Sequence, residues 1–329
     1  MSLPLSVACQ GYDRVRALMD GRVGIEGCEV CFLRLGPEEL FFRAFGHAEF
    51  DVCELSLSSY VMTLARGEAA YVAVPVFPSR MFRHSAIYVR SDRGIRAPED
   101  LKGRLVGVPE YQVTAAVWVR GMLQDEYGVA PGDIRWRTGG LEEAGRREKL
   151  PLALPARIEI APVAEGKTLA GMLASGELDA VVSPRVPSCF VRGEPGVVRL
   201  FPDYRRAEQL YFAKTRHFPI MHVLGIRRTL LERNAWLAAS VTKAFSQAKQ
   251  IAMAELADGT ALAATLPWLA AELESSRALM GDDYWPYGLE ANRRTLEALL
   301  RYEFEQGLTP RQVGIDELFA PSSRERFKV

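Results

Sequence analysis

Short apolar segments rich in valine and isoleucine alternate with segments of helical periodicity along the first part of the chain. The apolar segments are too short for helices, so they predict strands, and alternating strands and helices favour an α/β architecture. The predicted strands are Leu5–Cys9, Val30–Leu33, Phe50–Cys53, Tyr71–Val76, Ala86–Val89, Leu105–Val108, Ile158–Ile160, Leu178–Val182 and Val197–Leu200. After about residue 200 the pattern becomes mainly helical.

One local arrangement occurs twice along the chain: an amphipathic helix, a tight turn and a buried strand. It covers residues 39–53 and again residues 168–182, where Gly176 suits the left-handed conformation that ends a helix. Between the two, the Gly94–Gly103 segment has the proline, glycines and mixed charge of a crossing between lobes. We therefore expect an α/β fold with two lobes, a cleft between them and a helical C-terminal region. The expected division is residues 1–90 plus 201–329 for the first lobe and residues 91–200 for the second.

The loops that follow the strands are where we expect a ligand, because open sheets bind ligands beyond the carboxyl ends of their strands. Tyr12 follows the first strand, and Ser56, Ser58 and Ser59 follow the third at the start of a helix. Hydroxyls at a helix N-terminus favour an anion, although such a cluster also serves simply to cap the helix. The charged segment at residues 139–155 predicts a solvated loop or flap.

Cationic side chains follow two further strands. Arg80, Arg83 and His84 lie within five residues and form the densest cationic spot in the chain, while Arg185 is presented by a proline-flanked turn of the second lobe. Arginine is suited to bidentate recognition of a carboxylate. The alternative for the first group, a solvated surface turn, would leave neighbouring aromatic side chains in water.

Candidates for proton transfer are few. Glu110 opens a helix, where it serves either as a base or hydrogen-bond acceptor or only as a carboxylate that compensates the helix dipole. His222 lies in an apolar run, so it is either a core histidine or a proton donor in a desolvated setting, and the same alternatives hold for His84. His47 and His217 are expected at the surface.

The charge balance limits the class of partner. The chain has 41 Lys and Arg against 41 Asp and Glu, with a pI near 6.9. A neutral protein is a poor match for nucleic acid or a membrane surface, although a local cluster can still bind a small anion. There is no apolar run long enough to span a bilayer, the N-terminus reads as a strand, and five scattered cysteines fit reduced thiols. We expect a cytoplasmic protein and leave homo-oligomerisation open.

The sequence carries one short motif of the kind that binds metals. Cys28 and Cys31 have the spacing of a metal-binding or redox motif, but on the predicted strand their side chains point to opposite faces. No second cysteine or histidine pair completes a zinc site. The sequence also lacks the common nucleotide-binding, serine-hydrolase and zinc-protease motifs. We therefore expect neither a metal nor a cofactor.

Several blocks together resemble the 4,5-dihydroxyphthalate decarboxylase family, and the resemblance extends from about Leu5 to Ala320. The blocks are Gly11–Arg14, Glu49–Asp51, Glu54–Tyr60, Pro75–Ser85, Gly107–Gln112, Leu200–Tyr204, Phe218–His222 and Trp285–Gly288. The resemblance implies a fold like the type II periplasmic binding proteins, used here by an intracellular enzyme. Cys31 departs from the family, where a polar residue such as Asn is expected.

The resemblance implies non-oxidative decarboxylation of 4,5-dihydroxyphthalate, or a closely related aromatic polycarboxylate, to 3,4-dihydroxybenzoate and CO2 by ring protonation. The site residues expected on this hypothesis are Arg80, Arg83, Arg185, Ser56, Ser58, Ser59 and Tyr12 for the substrate, and His84, His222 and Glu110 for proton transfer. Either histidine would deliver the ring proton, and the glutamate would accept a proton from a hydroxyl. The alternative function is a solute-binding protein that captures a small aromatic or carboxylate anion without chemistry.

Overall fold

A computed structural model describes residues 2–323 of the chain. Its strands are β1 (Leu3–Cys9), β2 (Cys28–Arg34), β3 (Val52–Ser56), β4 (Tyr71–Arg80), β5 (Ile87–Arg90), β6 (Leu105–Val108), β7 (Arg135–Thr138), β8 (Ile160–Pro162), β9 (Ala180–Val182), β10 (Val197–Arg199) and β11 (Ile220–Arg227). Its α-helices are α1 (Asp13–Met19), α2 (Pro37–His47), α3 (Leu57–Ala65), α4 (Thr114–Tyr127), α5 (Leu169–Ser175), α6 (Ser188–Val191), α7 (Tyr204–Thr215), α8 (Arg228–Arg233), α9 (Leu237–Ala257), α10 (Leu269–Met280) and α11 (Arg293–Glu305).

The first sheet combines strands from distant parts of the chain, in the order β2-β1-β3-β11-β4. β1 pairs in parallel with β2 and β3, whereas β11 lies antiparallel between β3 and β4. One side of this sheet packs on α1 and α9, where Val7, Val15 and Phe245 are fully buried. The burial of these apolar side chains fixes the sheet and leaves its carboxyl-end loops free to form a site.

The second sheet has the order β10-β5-β9-β6-β7-β8. β6 pairs in parallel with β7 and β9, and β5 pairs antiparallel with β9 and β10. The chain enters this sheet after β4 and leaves it after β10, so two segments connect the sheets. The architecture is the predicted α/β fold with two sheets and a helical C-terminal region. Strand β5, which directly follows β4 in the order of strands, belongs to the second sheet. The residue bounds given above for the two lobes stay a prediction.

The predicted strands each overlap an observed strand, and Gly176 ends α5 with a φ of 77°, as predicted. Two observed strands were not predicted, β7 and β11. β11 lies in the part of the chain whose pattern is mainly helical, and its apolar run was not recognised as a strand. Among the helices of residues 2–323, none combines the length and the apolar character needed to cross a bilayer.

Candidate active site

A cleft of about 710 Å³ lies between the two sheets. The first sheet and its loops contribute Gln10, Tyr12, Ser56, Ser79, Arg83, Met221 and His222 to its wall. The second sheet and its loops contribute Pro109, Glu110, Thr114, Ser183 and Arg185, and the segment at residues 140–149 adds further charged side chains. The predicted flap therefore forms part of the cleft wall. The volume is suited to a small organic ligand.

Three neighbouring strands present polar side chains to this cleft in one row. In the strand register, His222 on β11 lies between Ser56 on β3 and Ser79 on β4. All three residues line the cleft. Because successive side chains of a strand alternate between its two faces, Arg80, which follows Ser79, lies on the opposite side of β4.

His222 is held by a buried carboxylate. Its Nδ1 lies 2.5 Å from Oε1 of Glu54, and the edge of the Phe41 ring packs against the imidazole with ring centroids 4.8 Å apart. An ionised carboxylate only accepts hydrogen bonds, so Nδ1 carries the proton of this bond. The other ring nitrogen, Nε2, has no hydrogen-bond partner among residues 2–323, and the side chain lines the cleft. The arrangement presents Nε2 as the nitrogen that meets a ligand.

Glu54 is completely buried and accepts several hydrogen bonds besides that of His222. Tyr12 donates from its hydroxyl at 2.7 Å, and the backbone N–H of Gln10 donates at 3.0 Å. Burial favours the neutral form of a carboxyl, but the charge of His222 and these hydrogen bonds outweigh it and hold the pKa of Glu54 below its usual value. Glu54 thus stays ionised at neutral pH. The pKa of Tyr12 is raised by burial and by Glu54, so its hydroxyl stays protonated.

Arg83 brings a buried positive charge to the cleft. Its Nε and Nη1 contact only sulfur atoms, Sδ of Met221 at 3.3 Å and Sδ of Met81 at 3.4 Å, and no carboxylate of the described residues lies within ion-pair distance. Burial lowers the pKa of Arg83 to about 10, partly offset by the charge of Glu208, so the guanidinium remains charged at neutral pH. A desolvated cation without an ion-pair partner attracts an anionic ligand strongly.

Glu110 also lines the cleft, but its oxygens are already occupied. Nη2 of Arg146 lies 2.7 Å from Oε1, and Nζ of Lys149 lies 2.5 Å from Oε2. Both cations belong to the flap, so this buried carboxylate anchors the flap to the second lobe. Whether Glu110 also accepts a proton from a substrate stays a prediction.

Arg185 lies at the edge of the cleft with more than half of its side chain exposed. Its Nη2 is 3.3 Å from Oε1 of Glu38, which belongs to α2 on the opposite wall. Its backbone N–H donates to the hydroxyl of Ser183 at 3.1 Å, which fixes the turn. Arg185 is therefore placed where it reaches across the cleft.

The structure places the remaining predicted residues outside the cleft wall. Arg80 is buried and donates to the carbonyl oxygens of Phe218 and Pro286 and to the Asn292 side chain. Ser58 and Ser59 are fully buried in α3, where the Ser59 hydroxyl lies 3.3 Å from that of Ser56. These contacts support the polypeptide behind the cleft. Of the three predicted serines, the structure brings only Ser56 to the surface of the cleft.

His84 is likewise away from the cleft. Its ring is buried between Phe201 and Tyr211, with ring centroids 5.1 and 5.3 Å from its own, and its Nδ1 finds no hydrogen-bond partner among the residues that the structure describes. Burial lowers the pKa of His84 to about 4, so the ring is neutral at physiological pH. Of the two histidines considered as proton donors, His222 is the one that lines the cleft.

His84→Phe should reduce the loss of stability in acid. The unfolded pKa of histidine is about 6.5 and the folded value is about 4, so the unfolded chain binds the proton first and stability falls as the pH drops through this window. Between pH 7.5 and pH 5 the His84 ring should cost the wild type about 2 kcal/mol of its free energy of unfolding, and the variant should not show this part of the loss. Urea unfolding at pH 7.5 and pH 5 measures it. Equal losses in both proteins would contradict the buried, neutral assignment.

Sequence reasoning did not identify two residues of the site. Glu54 lies inside β3, and a carboxylate within an otherwise apolar strand is a signal that could have found it, because charged residues are rarely buried without a partner. Arg146 was seen only as part of a charged segment. Its Nη1 lies 2.6 Å from Glu38, a contact between segments that are 108 positions apart.

Comparison with known proteins places the chain among curated relatives along its whole length. No family model matches it. It is 48% identical over 327 residues to the 4,5-dihydroxyphthalate decarboxylase of Comamonas testosteroni, and the aligned region covers 99% of each chain. It is 55% identical over 201 residues to the 4,5-dihydroxyphthalate decarboxylase of Pseudomonas putida, covering 61% of this chain and 78% of that protein.

Solved structures share the fold at low sequence identity. The periplasmic aliphatic sulphonate binding protein of Escherichia coli superposes with a TM-score of 0.54 at 16% identity, covering 98% of this chain and 99% of that one. A periplasmic sulfonate-binding protein of Methylobacillus flagellatus gives a TM-score of 0.55 at 13% identity, covering 98% of this chain and 92% of the other. The expected resemblance of the fold to periplasmic binding proteins is confirmed.

Proposed function

The chain belongs to the family of 4,5-dihydroxyphthalate decarboxylases, and on this premise we propose that it removes one carboxylate of 4,5-dihydroxyphthalate as CO2 and leaves 3,4-dihydroxybenzoate. The relatives favour a decarboxylase over a solute-binding protein, although the fold is shared with both. The class of the reaction would be that of a carbon–carbon lyase. The observation that carries the proposal is that His222, held by Glu54, opens into the same cleft as Arg83, a cation with no ion-pair partner in the described part of the chain.

The chemistry sets clear requirements for the site. Direct loss of CO2 would leave an aryl carbanion, so the ring carbon that bears the departing carboxylate has to be protonated first. The hydroxyl para to that carbon supplies electrons to the ring as its own proton is withdrawn. The site therefore needs an acid beside the ring, an acceptor near the hydroxyls and cations for the carboxylates.

His222 is the acid in this scheme. When both ring nitrogens are protonated, Nδ1 donates to Glu54 and the Nε2 proton is directed at the ring carbon. The new C–H bond takes this proton, the C–C bond to the carboxylate then breaks, and its electron pair restores the aromatic ring. The hydroxyl regains its proton, so the net reaction consumes one proton and releases one CO2. His222 is recharged by a proton from solvent.

Arg83 binds a substrate carboxylate in the proposal, because it is a buried guanidinium whose hydrogen bonds within residues 2–323 go only to thioethers. Tyr12 and Ser56 are further polar groups on the cleft wall beside His222. Glu110 stays the predicted acceptor for the hydroxyl proton. The flap limits access of water to this space, which strengthens the electrostatic contacts within it.

Incubation with 4,5-dihydroxyphthalate in D2O tests the function and the mechanism together. We expect CO2 and 3,4-dihydroxybenzoate in equal amounts, with one deuterium at C6 of the product, because the proton replaces the carboxylate at that carbon. Proton NMR of the product and CO2 release measure the two results. Binding of the compound without turnover would sink the decarboxylase proposal for this substrate, and a product without deuterium at C6 would exclude protonation from a solvent-exchanged group.

The proposal extends to the location of the protein and to its binding partners. We expect a cytoplasmic enzyme whose ligand is a small aromatic dicarboxylate, with no nucleic acid or membrane as partner. The five cysteines are free thiols in the structure, which fits a reducing compartment. Cell fractionation that found the protein in the periplasm would contradict this location.

A further inference from the structure

Two arginines converge on one carboxylate at the mouth of the cleft. We propose that Arg146 and Arg185 form a second carboxylate subsite, and that the side chain of Glu38 occupies it in this structure. The inference rests on the proposed function, because it assigns the substrate carboxylate that Arg83 does not bind. It also makes Glu38 a residue that tunes selectivity for substrates with two carboxylates.

The geometry at Glu38 is that of a bound carboxylate. A single oxygen, Oε1, lies 2.6 Å from Nη1 of Arg146 and 3.3 Å from Nη2 of Arg185. Both arginines come from the second lobe, whereas Glu38 comes from α2 in the first, and all three residues line the cleft. Two guanidinium groups that converge on one carboxylate oxygen have the arrangement by which proteins recognise carboxylate ligands.

The guanidinium of Arg146 is held in position by a second carboxylate of the protein. Its Nε and Nη2 lie 3.0 and 2.7 Å from Oε1 of Glu110, a buried carboxylate, so one edge of the guanidinium is fixed. The remaining donor, Nη1, is the one that faces Glu38. A donor held in this way loses little conformational freedom when it binds a carboxylate.

Glu38 is an occupant that a ligand can displace. Its side chain is half exposed, and the side chain of Arg185 is more exposed still, so water and salt weaken the contact. Exposed ion pairs contribute little to stability. A rigid aromatic ligand whose other carboxylate is held by Arg83 would bring its second carboxylate to the arginines with less loss of freedom than the flexible side chain. Such a ligand competes with Glu38, whereas a monocarboxylate held by Arg83 does not.

Glu38→Gln tests the competition with two simple probes. We expect the variant to bind phthalate about two- to fivefold more tightly than the wild type, because the internal competitor has lost its charge. Benzoate, with a single carboxylate, should bind equally to both proteins. Isothermal titration calorimetry measures the dissociation constants. Glu39→Gln is the matched control, since Glu39 is the adjacent exposed residue of α2 and pairs with Arg43 instead, and it should change neither constant.

The double variant Glu38→Gln with Arg185→Gln should lose the gain for phthalate and leave benzoate unchanged. Weaker or unchanged phthalate binding in Glu38→Gln would overturn the proposal and make the contact a latch between the lobes. The binding of phthalate and benzoate does not depend on turnover. A protein that fails to decarboxylate 4,5-dihydroxyphthalate but shows this binding pattern therefore keeps the subsite and loses the proposed function. A protein that decarboxylates the compound without this binding pattern keeps the proposed function and loses the subsite.

Discussion

His222→Ala is expected to lower kcat for 4,5-dihydroxyphthalate by about 10²- to 10⁴-fold, the range that a positioned general acid contributes. The structure gives the physical reason. His222 is the histidine on the cleft wall whose Nδ1 is bound by a buried, ionised carboxylate and whose Nε2 is left for a ligand. Removal of the ring takes away the proton donor but leaves the cation of Arg83 in place, so KM should change much less than kcat. Steady-state kinetics at saturating substrate measures both.

The control for this loss is His47→Ala, because His47 lies exposed at the end of α2 and does not line the cleft. It should keep the activity of the wild type. Added imidazole should restore part of the activity of His222→Ala, since the deleted ring leaves space for it next to Glu54. Near wild-type turnover in His222→Ala would remove His222 from the mechanism, whatever the activity of the control.

Arg83→Met should cost about 10- to 150-fold in kcat/KM while leaving the fold at least as stable as the wild type. Hydrogen bonds to a charged group are worth about 1.5–3 kcal/mol, which sets the size of the kinetic effect. The stability follows from desolvation: Arg83 is buried without an ion-pair partner among residues 2–323, so an apolar side chain of similar length relieves the burial of its charge. Kinetics and urea unfolding measure the two effects separately.

Arg80→Met is the matched variant for this prediction. Arg80 is also buried, but its guanidinium donates to the carbonyl oxygens of Phe218 and Pro286 and to Asn292. Its replacement takes the donor away from the Phe218 carbonyl and the Asn292 side chain, while the Pro286 carbonyl keeps the Asn292 amide, so the variant should lose stability where Arg83→Met does not. If Arg83→Met kept full kcat/KM, the proposed carboxylate contact of Arg83 would be wrong.

Arg80 and Arg83 illustrate which parts of the site can be predicted from the sequence. The sequence predicted a cationic group after the fourth strand, and Arg83 is indeed on the cleft wall. It also predicted that this strand ends at Val76, whereas β4 continues to Arg80. The four additional residues continue the alternation of faces and place Ser79 towards the cleft and Arg80 away from it. The true end of this strand therefore explains why Arg80 does not line the cleft.

Other parts of the site depend on contacts between distant segments. Glu54 and His222 are 168 positions apart, and they meet because β11 inserts beside β3. Local periodicity predicts the nine short strands well, since each is an apolar segment bounded by turn residues. It does not reveal which strands pair, and β11 was hidden in a mainly helical region. The identity of the histidine on the cleft wall thus required the tertiary structure.

The position of β11 has a consequence for synthesis on the ribosome. β3 and β4 are not neighbours in the first sheet, because β11, at Ile220–Arg227, separates them. Until that strand emerges from the exit tunnel, the nascent chain holds the edges of β3 and β4 without their final partner, and unpaired strand edges invite aggregation. The same late strand carries His222. We therefore expect the growing polypeptide to be prone to aggregation until residue 227 emerges, and His222, the proposed proton donor, arrives only with the strand that closes this gap.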